Sequence, residues 1–453
     1  MPSRDVHIQE AIDRAGFGPF QRRLFLLCGM TWAADAAEIL LLSFALPGVT
    51  REFHLGPGAA GAVVTSTFAG MLVGAWFWGV TADRVGRRLG FQLTIAIFAV
   101  FGLASAFAPG PGWLAVLRAL TGFGLGGALP LDFALFTEYL PSRDRGRWLV
   151  LLESWWAVGT VAAAGLALLL MPTLGWRWLL ASSAAAAALV LWARLRVPES
   201  ARYVLSRGDA ERARELVDRV AAANGAPPVT QRLILPPGEG PTTAAGLLRG
   251  GLRRTTVLLW LVWLLIGFGY YGVFSWLPQI FAQEYGFLRS YQYVFFLALT
   301  QLPGYLSAAW LVERWGRKPV LASYLAVAAA ATGIWAVAGS APLVLTAAAL
   351  MNFFTLGAWA ALYAYTPESY PTQLRASGMG AASGFARIGA VAAPLAGGAL
   401  LAASLPAALS AFAAAFLLAA LVVIGYATET RGARLDDTVA EHGGSPGRAV
   451  AAR

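Results

Sequence analysis

Apolar runs as long as a bilayer is deep, separated by short polar stretches, follow one another along most of the chain. A helix of about 20 apolar residues crosses the hydrocarbon core of a membrane. Twelve runs are long enough, at 24–48, 60–82, 88–108, 112–139, 147–171, 177–195, 255–283, 289–313, 318–338, 342–366, 376–402 and 406–427. The pattern predicts an all-α membrane protein with twelve transmembrane helices.

Longer polar stretches divide these runs into two groups of six. We predict a cytoplasmic N-terminal segment, a six-helix bundle, a cytoplasmic linker, a second six-helix bundle and a cytoplasmic tail, at 1–23, 24–195, 196–254, 255–427 and 428–453. Ile8, Ile12 and Ala15 recur at helical spacing, which predicts a short helix on the membrane surface. Residues 209–223 of the linker also have helical periodicity.

Basic residues in the short loops predict the orientation in the membrane. Three loops are rich in them, and their basic residues are Arg84, Arg87 and Arg88, then Arg143, Arg145 and Arg147, then Arg314, Arg317 and Lys318. The alternate loops, near 109–112, 339–342 and 403–405, carry neither Lys nor Arg. Because basic loops stay on the cytoplasmic side, both termini and the linker are expected there.

The two groups of runs repeat each other's charged motifs. Residues 83–88, DRVGRR, return as 313–318, ERWGRK, which lie 230 positions later, an interval that we call the repeat offset. Glu138 and Glu368 are separated by the same offset, and so are Glu199 and Glu429. The repeat predicts two six-helix halves related by an axis along the membrane normal, with a substrate site between them near the midplane.

Composition excludes several other classes of protein. The chain is 58% hydrophobic and 13% charged, which is too apolar for an ordinary soluble protein. Its net charge of +10 fits cytoplasmic loops, and no basic stripe with interleaved aromatic residues predicts a nucleic-acid partner. Lys318, the only lysine, is in no phosphate-binding loop. We therefore expect no cofactor, and transport driven by an ion or substrate gradient, with a proton gradient the leading candidate.

Charged residues inside the predicted spans are the first candidates for function. Asp35 and Glu38 share one helix face, which must meet protein or water because a carboxylate in hydrocarbon is costly. They could form a proton site or a structural ion pair. Arg118 could hold a substrate carboxylate or pair with Asp35, and a substrate competing for Arg118 would allow both. Asp132, the third candidate for proton coupling, lies about 21 Å further along that helix, where it could relay protons or join the cytoplasmic charges.

The second half supplies further candidates for binding a substrate. Its aromatic and amide residues suit a flat organic ligand, although ordinary helix packing would also explain single aromatic residues. They are Tyr270, Tyr271, Trp276, Gln279, Gln301, Asn352, Trp359 and Tyr363. Arg387 is a second candidate for binding an anion, or a snorkelling arginine near the cytoplasmic end.

The remaining charged candidates are assigned to the cytoplasmic ends of the helices, where the basic loops lie. We predict that they form ion pairs of a cytoplasmic gate, whose breakage would shift the population of conformations. They are Asp83, Arg84, Arg88, Glu138, Arg145, Glu153, Glu199, Glu313, Arg314, Glu368, Arg375 and Glu429.

Several of these motifs resemble a known family. GVTADRVGRR at 79–88 and LVERWGRK at 311–318 are similar to the loop signature of the major facilitator superfamily. The stretches at 117–130, 145–160, 270–278, 300–310 and 353–372 resemble bacterial niacin transporters. The stretch at 11–40, near the start of the chain, resembles synaptic vesicle 2-related proteins.

The resemblance implies a monomeric, proton-linked symporter of small organic ions, nicotinate being the leading example, in a bacterial cytoplasmic membrane. Its partners would be the substrate and the lipid bilayer. The position of Asp132 is usually small or neutral in the niacin transporters, and a carboxylate facing a cavity would favour cations. A carrier of organic cations or sugars is the alternative, and a non-transporting receptor or scaffold is the alternative of another class. An enzyme is least expected, because no nucleophile and base occur together.

Overall fold

The computed structural model describes residues 5–85, 87–143, 145–235, 244–250, 252–370 and 374–431. Most of these residues are helical. The N-terminal segment and the first half contain β1 Val6–His7, α1 Ile8–Ala15, α2 Pro19–Phe53, α3 Pro57–Val85, α4 Arg87–Ser105, α5 Pro111–Glu138, α6 Arg145–Glu153, α7 Trp155–Leu170, α8 Gly175–Ala181 and α9 Ser183–Leu195. The linker and the second half contain α10 Ala201–Ser206, α11 Ala210–Asn224, β2 Leu233–Ile234, a 3₁₀ turn Ala244–Leu248, α12 Leu252–Tyr285, α13 Phe287–Leu299, α14 Gln301–Trp315, α15 Arg317–Val337, α16 Ala341–Glu368, α17 Arg375–Ala403 and α18 Leu405–Tyr426.

The two halves repeat each other helix by helix. The first residues of α3, α4, α5, α6 and α8 in the first half correspond, at the repeat offset, to the first residues of α13, α15, α16, α17 and α18 in the second. The prediction of an all-α membrane protein with twelve spans in two six-helix halves is confirmed.

Three of the predicted spans contain a one-residue interruption, at Ser154, Ser182 and Thr300. In each case the side-chain hydroxyl donates a hydrogen bond, 2.6–2.7 Å long, to the carbonyl three residues earlier. Ser66 and Ser307 donate the same kind of bond inside unbroken helices, so the bond alone does not explain the interruptions. The interruption at Ser154 separates α6 from α7 and lies next to Glu153.

Glycine allows the close packing of α3 on α5 in the first half. A Cβ atom on Gly122 would lie 2.0 Å from the carbonyl oxygen of Thr67, and one on Gly70 would lie 1.9 Å from that of Ala119. Because these neighbours are backbone atoms, only a residue without a side chain lets the two helices approach so closely.

The N-terminal helix α1 is present, and its apolar face packs against the linker; its location at the membrane surface stays a prediction. Its buried face joins one apolar cluster with the face of α11 that carries Leu216 and Val220. Strand β1 pairs in parallel with β2 of the linker. The side-chain amide of Asn224, the last residue of α11, donates to the carbonyl oxygens of Ala15 and Gly16 at 3.2 and 2.9 Å. The linker therefore covers the apolar face that the sequence assigned to the membrane.

Hydrogen bonds join the two halves at one end of the bundle. The Tyr291 hydroxyl donates to the carbonyl oxygen of Phe44, and the Thr50 hydroxyl donates to Gln279 Oε1, both at 3.2 Å. The other end carries the basic residues, and we call it the arginine-rich end; α3, α5 and α14 end there, and α4, α6 and α15 begin there. The halves are therefore tied together at the end opposite the arginine-rich end.

Candidate functional site

A cavity lies between the two halves. Five of its lining residues come from the first half and eleven from the second: Trp32, Phe68, Met71, Glu153 and Trp156, then Trp263, Tyr270, Tyr271, Tyr305, Leu356, Trp359, Tyr363, Ser383, Ala386, Arg387 and Ala390.

Aromatic rings of α12 and α16 form much of the wall. Trp263 and Tyr270 are seven residues apart, or two helical turns, and therefore share one face of α12. The ring of Trp359 on α16 meets both of them edge-on, with centroid distances of 5.5 Å to Trp263 and 6.0 Å to Tyr270. Tyr363, one turn further along, packs 4.9 Å from Trp263. Edge-to-face contacts of this kind hold aromatic rings in fixed orientations.

One hydrogen bond crosses the cavity wall from one half to the other. The indole N–H of Trp156, at the start of α7, donates to the Tyr270 hydroxyl at 2.7 Å. Trp156, together with Trp32, Trp263 and Tyr305, was missed at the sequence level. Their place in the cavity depends on which helices pack together, and the sequence does not distinguish them from aromatic residues that pack elsewhere.

Two residues of opposite charge face the cavity. Glu153 ends α6 and is 2% exposed, and its Oε1 accepts no hydrogen bond from a described residue. Arg387 lies in α17, and no carboxylate among the described residues pairs with it. The cavity therefore offers an acidic position from the first half and a basic position from the second.

The prediction that Glu153 belongs to the cytoplasmic ion pairs is wrong. It lies eight residues beyond Arg145, at the other end of α6. At the rise of a helix, this separation is about 12 Å. Glu153 therefore reaches the cavity instead of the arginine-rich end.

Arg118 is also placed differently from the expectation. Its Nη1 lies 2.7 Å from Glu38 Oε1, and its Nη2 donates to the carbonyl oxygen of Glu38 at 3.1 Å. Both side chains are fully buried, and neither lines the cavity. The partner of Arg118 in this ion pair is thus Glu38 and not Asp35, which is buried one turn earlier on α2. In this conformation Arg118 lies outside the cavity, and its role as the anchor of a substrate carboxylate stays a prediction.

Four other predicted binding residues hold helices together. Gln301 donates to Asn352 at 3.2 Å, which joins α14 to α16. Gln279 accepts the bond from Thr50 at the end opposite the arginine-rich end. The indole of Trp276 donates to the carbonyl oxygen of Pro394 in α17 at 3.2 Å. None of the four lines the cavity, because each faces a neighbouring helix.

At the arginine-rich end of the second half, Arg317 is the central residue. Its guanidinium donates to Glu368 and Glu313, with shortest distances of 3.0 Å in both cases. The side chain of Glu429 accepts from the backbone N–H groups of Arg317 and Lys318 at 2.9 and 3.0 Å. We call these contacts, with the Thr430 hydroxyl that donates to Glu368 at 2.7 Å, the second-half cap.

The sequence assigned this role to Arg314, which instead lies 4.0 Å from the ring centroid of Trp310 and has no carboxylate partner among the described residues. Arg317 could have been found from the repeat, because it follows Gly316. That glycine has φ 102°, a conformation that suits glycine and turns the chain between helices.

The first half has a corresponding cap. The Ser200 hydroxyl donates to Glu138, as Thr430 does to Glu368. The backbone N–H of Ser200 donates to Glu199 Oε1 at 3.0 Å, and the same bond joins Thr430 to Glu429. The side chains that the sequence added here, those of Asp83, Arg84 and Arg88, lie outside the described residues, as does that of Asp132.

Two arginines begin equivalent helices next to these caps. Arg145 donates to the carbonyl oxygen of Leu140 at 3.1 Å, and Arg375 donates to that of Pro367 at 2.9 Å. These hydrogen bonds each join residues of the same half. Whether they gate the cavity therefore stays a prediction.

Two six-helix halves around a central cavity define an integral membrane transporter of the major facilitator superfamily, and not an enzyme. A family profile described as "Sugar (and other) transporter" matches residues 54–439. The chain belongs to this family.

Known proteins agree with this assignment and with the resemblances found in the sequence. The niacin transporter NiaP of Acinetobacter baylyi is 38% identical over 386 residues, which are 85% of this chain and 88% of that protein. The synaptic vesicle 2-related protein of Bos taurus is 33% identical over 452 residues, covering 95% and 82%. A partially occluded, inward-open structure of the xylose transporter XylE from E. coli superposes with a TM-score of 0.73 at 17% identity, covering 90% of this chain and 100% of that one. That likeness shows the fold.

Proposed function

We propose that the protein is a proton-coupled symporter that takes up a small aromatic monocarboxylate of the nicotinate type by alternating access. The observation that carries this proposal is the position of Arg387, a cation in an aromatic cavity without a carboxylate partner among the described residues. A guanidinium binds a carboxylate through two parallel hydrogen bonds. Arg387 thus takes the role that the sequence gave to Arg118.

The shape of the wall supports a flat ligand. Trp263, Tyr270, Trp359 and Tyr363 present rigid rings from two helices of one half. A ligand of one aromatic ring can stack on such side chains without ordering a flexible residue. The similarity to a niacin transporter supports the same class of substrate.

The proposal includes the membrane, the orientation, the oligomeric state and the driving force of the carrier. We place it in a bacterial cytoplasmic membrane with both termini and the linker in the cytoplasm, because basic loops remain on that side. It works as a monomer with no cofactor or nucleic-acid partner, and the proton gradient drives uptake. Asp35, Glu38 and Glu153 are the described intramembrane carboxyl groups that could carry the proton.

Uptake of labelled nicotinate into proteoliposomes with an acidic exterior tests the proposal. Removing the Arg387 contact, worth about 1.5–3 kcal/mol, should weaken binding of nicotinate by roughly ten- to a hundredfold in Arg387→Gln. Arg387→Lys should restore only part of the affinity, because an ammonium cannot form the two parallel bonds. Arg212→Gln, on the exposed face of α11, is the matched control. Unchanged nicotinate affinity in Arg387→Gln would refute the anion site.

Glu153 favours one second candidate, a carrier of organic cations, because it places a carboxyl group in the same cavity. In that case a quaternary ammonium compound should stabilise the protein against thermal unfolding and nicotinate should not. Arg387→Gln should then leave binding unchanged, whereas Glu153→Gln should abolish it.

A further inference from the structure

The cavity contains one more recognition element than a simple aryl carboxylate needs. Arg387 suffices for the carboxylate, and the aromatic rings suffice for the ring face. Glu153 is almost fully buried, faces the cavity and has an oxygen without a hydrogen-bond partner among the described residues. A buried polar group without a hydrogen-bond partner destabilises the protein, and a ligand that bonds to it removes this cost.

The two charged positions line the same cavity from opposite halves and form no ion pair with each other. Tyr271 and Tyr363 line this cavity with them. Glu153 forms no ion pair among the described residues. A single ligand in this cavity would therefore share it with a cation and a carboxyl group.

We propose that Glu153 recognises a ring nitrogen of the substrate, so that the carrier selects pyridine carboxylates over aryl carboxylates of the same size and charge. This inference rests on the proposed function, since it assumes that Arg387 binds the carboxylate end. The class of substrate is a planar ring with a carboxylate and, away from it, a nitrogen that can accept a hydrogen bond.

The same contact couples substrate binding to protonation of Glu153. The nitrogen lone pair accepts a hydrogen bond from the protonated carboxyl group of Glu153, whereas an ionised carboxylate would repel it. Whether the proton lies on the carboxyl oxygen or on the ring nitrogen, the loaded site contains one proton and one substrate anion. The pair that crosses the membrane is then electrically neutral, and Glu153 releases its proton when the substrate leaves.

The acids on α2 fit this task less well. Glu38 is bound to Arg118, and Asp35 does not line the cavity. Neither is placed to meet the ligand and the proton together. Glu153 thereby replaces the acids of α2 as the coupling carboxyl group.

Binding of nicotinate and benzoate, measured by calorimetric titration of the purified full chain, tests this inference. Benzoate has the same charge and nearly the same shape, with a C–H in place of the nitrogen. The wild-type protein should prefer nicotinate by about tenfold at mildly acidic pH, the effect of one hydrogen bond. Glu153→Leu should lose this preference while it keeps its affinity for benzoate. Glu284→Leu, at the exposed end of α12, is the control.

Glu153→Gln separates recognition from coupling and remains informative if the leucine variant fails to fold. The glutamine amide can still donate to the ring nitrogen, so the preference for nicotinate should persist. It cannot ionise, so the decrease in nicotinate affinity that we expect for the wild type at mildly alkaline pH should be absent.

The outcomes distinguish the two proposals. If the wild type binds neither acid, the proposed function fails. If it binds both and the ratio is the same in Glu153→Leu, or if the pH dependence persists in Glu153→Gln, the role of Glu153 is refuted and the anion site stands.

Discussion

The two halves of the molecule share their caps but not their interiors. At the arginine-rich end, Ser200 with Glu138 and Thr430 with Glu368 form the same contact at positions related by the repeat offset. Inside the membrane, the positions equivalent to Glu38 and Arg118 of the first half are Phe268 and Ala348 in the second. One half therefore contains a buried ion pair where the other contains apolar side chains.

The cavity shows the same asymmetry. Glu153 in the first half and Ser383 in the second occupy equivalent positions of the repeat, and both line the cavity. Arg387 has Ala157 as its equivalent in the first half. Both halves need the caps, since each must hold its own loops in place. A small asymmetric ligand needs each recognition group only once, so the two interiors can differ.

The largest expected effect comes from removing one charge of the buried pair. Arg118→Ala would leave Glu38 buried without this partner, which typically costs about 3–5 kcal/mol. The apparent melting temperature in detergent should fall accordingly. Glu38→Leu combined with Arg118→Met should recover most of the loss, because apolar side chains of similar volume often replace a buried pair without cost. A double variant as unstable as Arg118→Ala would show that the first half depends on the charges themselves.

A smaller effect is expected from filling the close contact between α3 and α5. In Gly122→Ala, the new methyl group would lie 2.0 Å from the Thr67 carbonyl oxygen, so the helices must move apart. Overpacking of this kind costs about 1–3 kcal/mol. Gly333→Ala in α15 of the second half is the control, because no atom lies within 4 Å of its Cβ position. Melting temperatures of the two variants should move in opposite directions, and a shared direction would contradict the packing argument.

The sequence predicted the scaffold better than the site, for physical reasons. Apolar runs and the internal repeat determine where helices lie, since lipid requires each span to be apolar over a set length. The aromatic residues at 270, 359 and 363 could be predicted because their rings are large and need a partner. The depth of Glu153 along its helix could not, because it depends on where α6 begins.

The sequence also did not determine which of several neighbouring charged side chains forms a given contact. Asp35 and Glu38 share a helix face, so the sequence allows either to pair with Arg118. The packing of α2 on α5 places Glu38 next to Arg118. Arg387 was named as an anion site, but its position in the cavity depends on the rotation of α17. Side-chain direction within a long apolar helix is thus set by neighbouring helices.

Variants of the two caps test whether the caps stabilise their halves equally. Glu138→Gln and Glu368→Gln each weaken a partly exposed contact, and each should cost about 1 kcal/mol at most. Equal decreases in melting temperature would support equivalent caps, and a decrease in only one half would contradict them.

The gate hypothesis adds a second measurement on the same variants. If the caps also close the cavity, a cysteine placed at Ser383 should react faster with a membrane-impermeant maleimide in Glu368→Gln, in a background lacking Cys28. Unchanged labelling would indicate that the caps only brace each half.

The smallest effect is expected from the amide pair of the second half, which joins helices without charge. Gln301 and Asn352 are both fully buried, and one hydrogen bond of 3.2 Å connects their side chains. In membrane proteins, double-mutant cycles for such bonds average about 0.6 kcal/mol, because the unfolded helices also find partners in the bilayer. A cycle of Gln301→Leu and Asn352→Leu should therefore give a coupling energy several times smaller than a cycle of Glu38→Leu and Arg118→Met. Unfolding in denaturant, followed by tryptophan fluorescence, would measure both. Equal coupling energies would show that the amide pair of the second half stabilises the protein as much as the ion pair of the first. The two interiors would then differ in their side chains but not in the strength of their polar contacts.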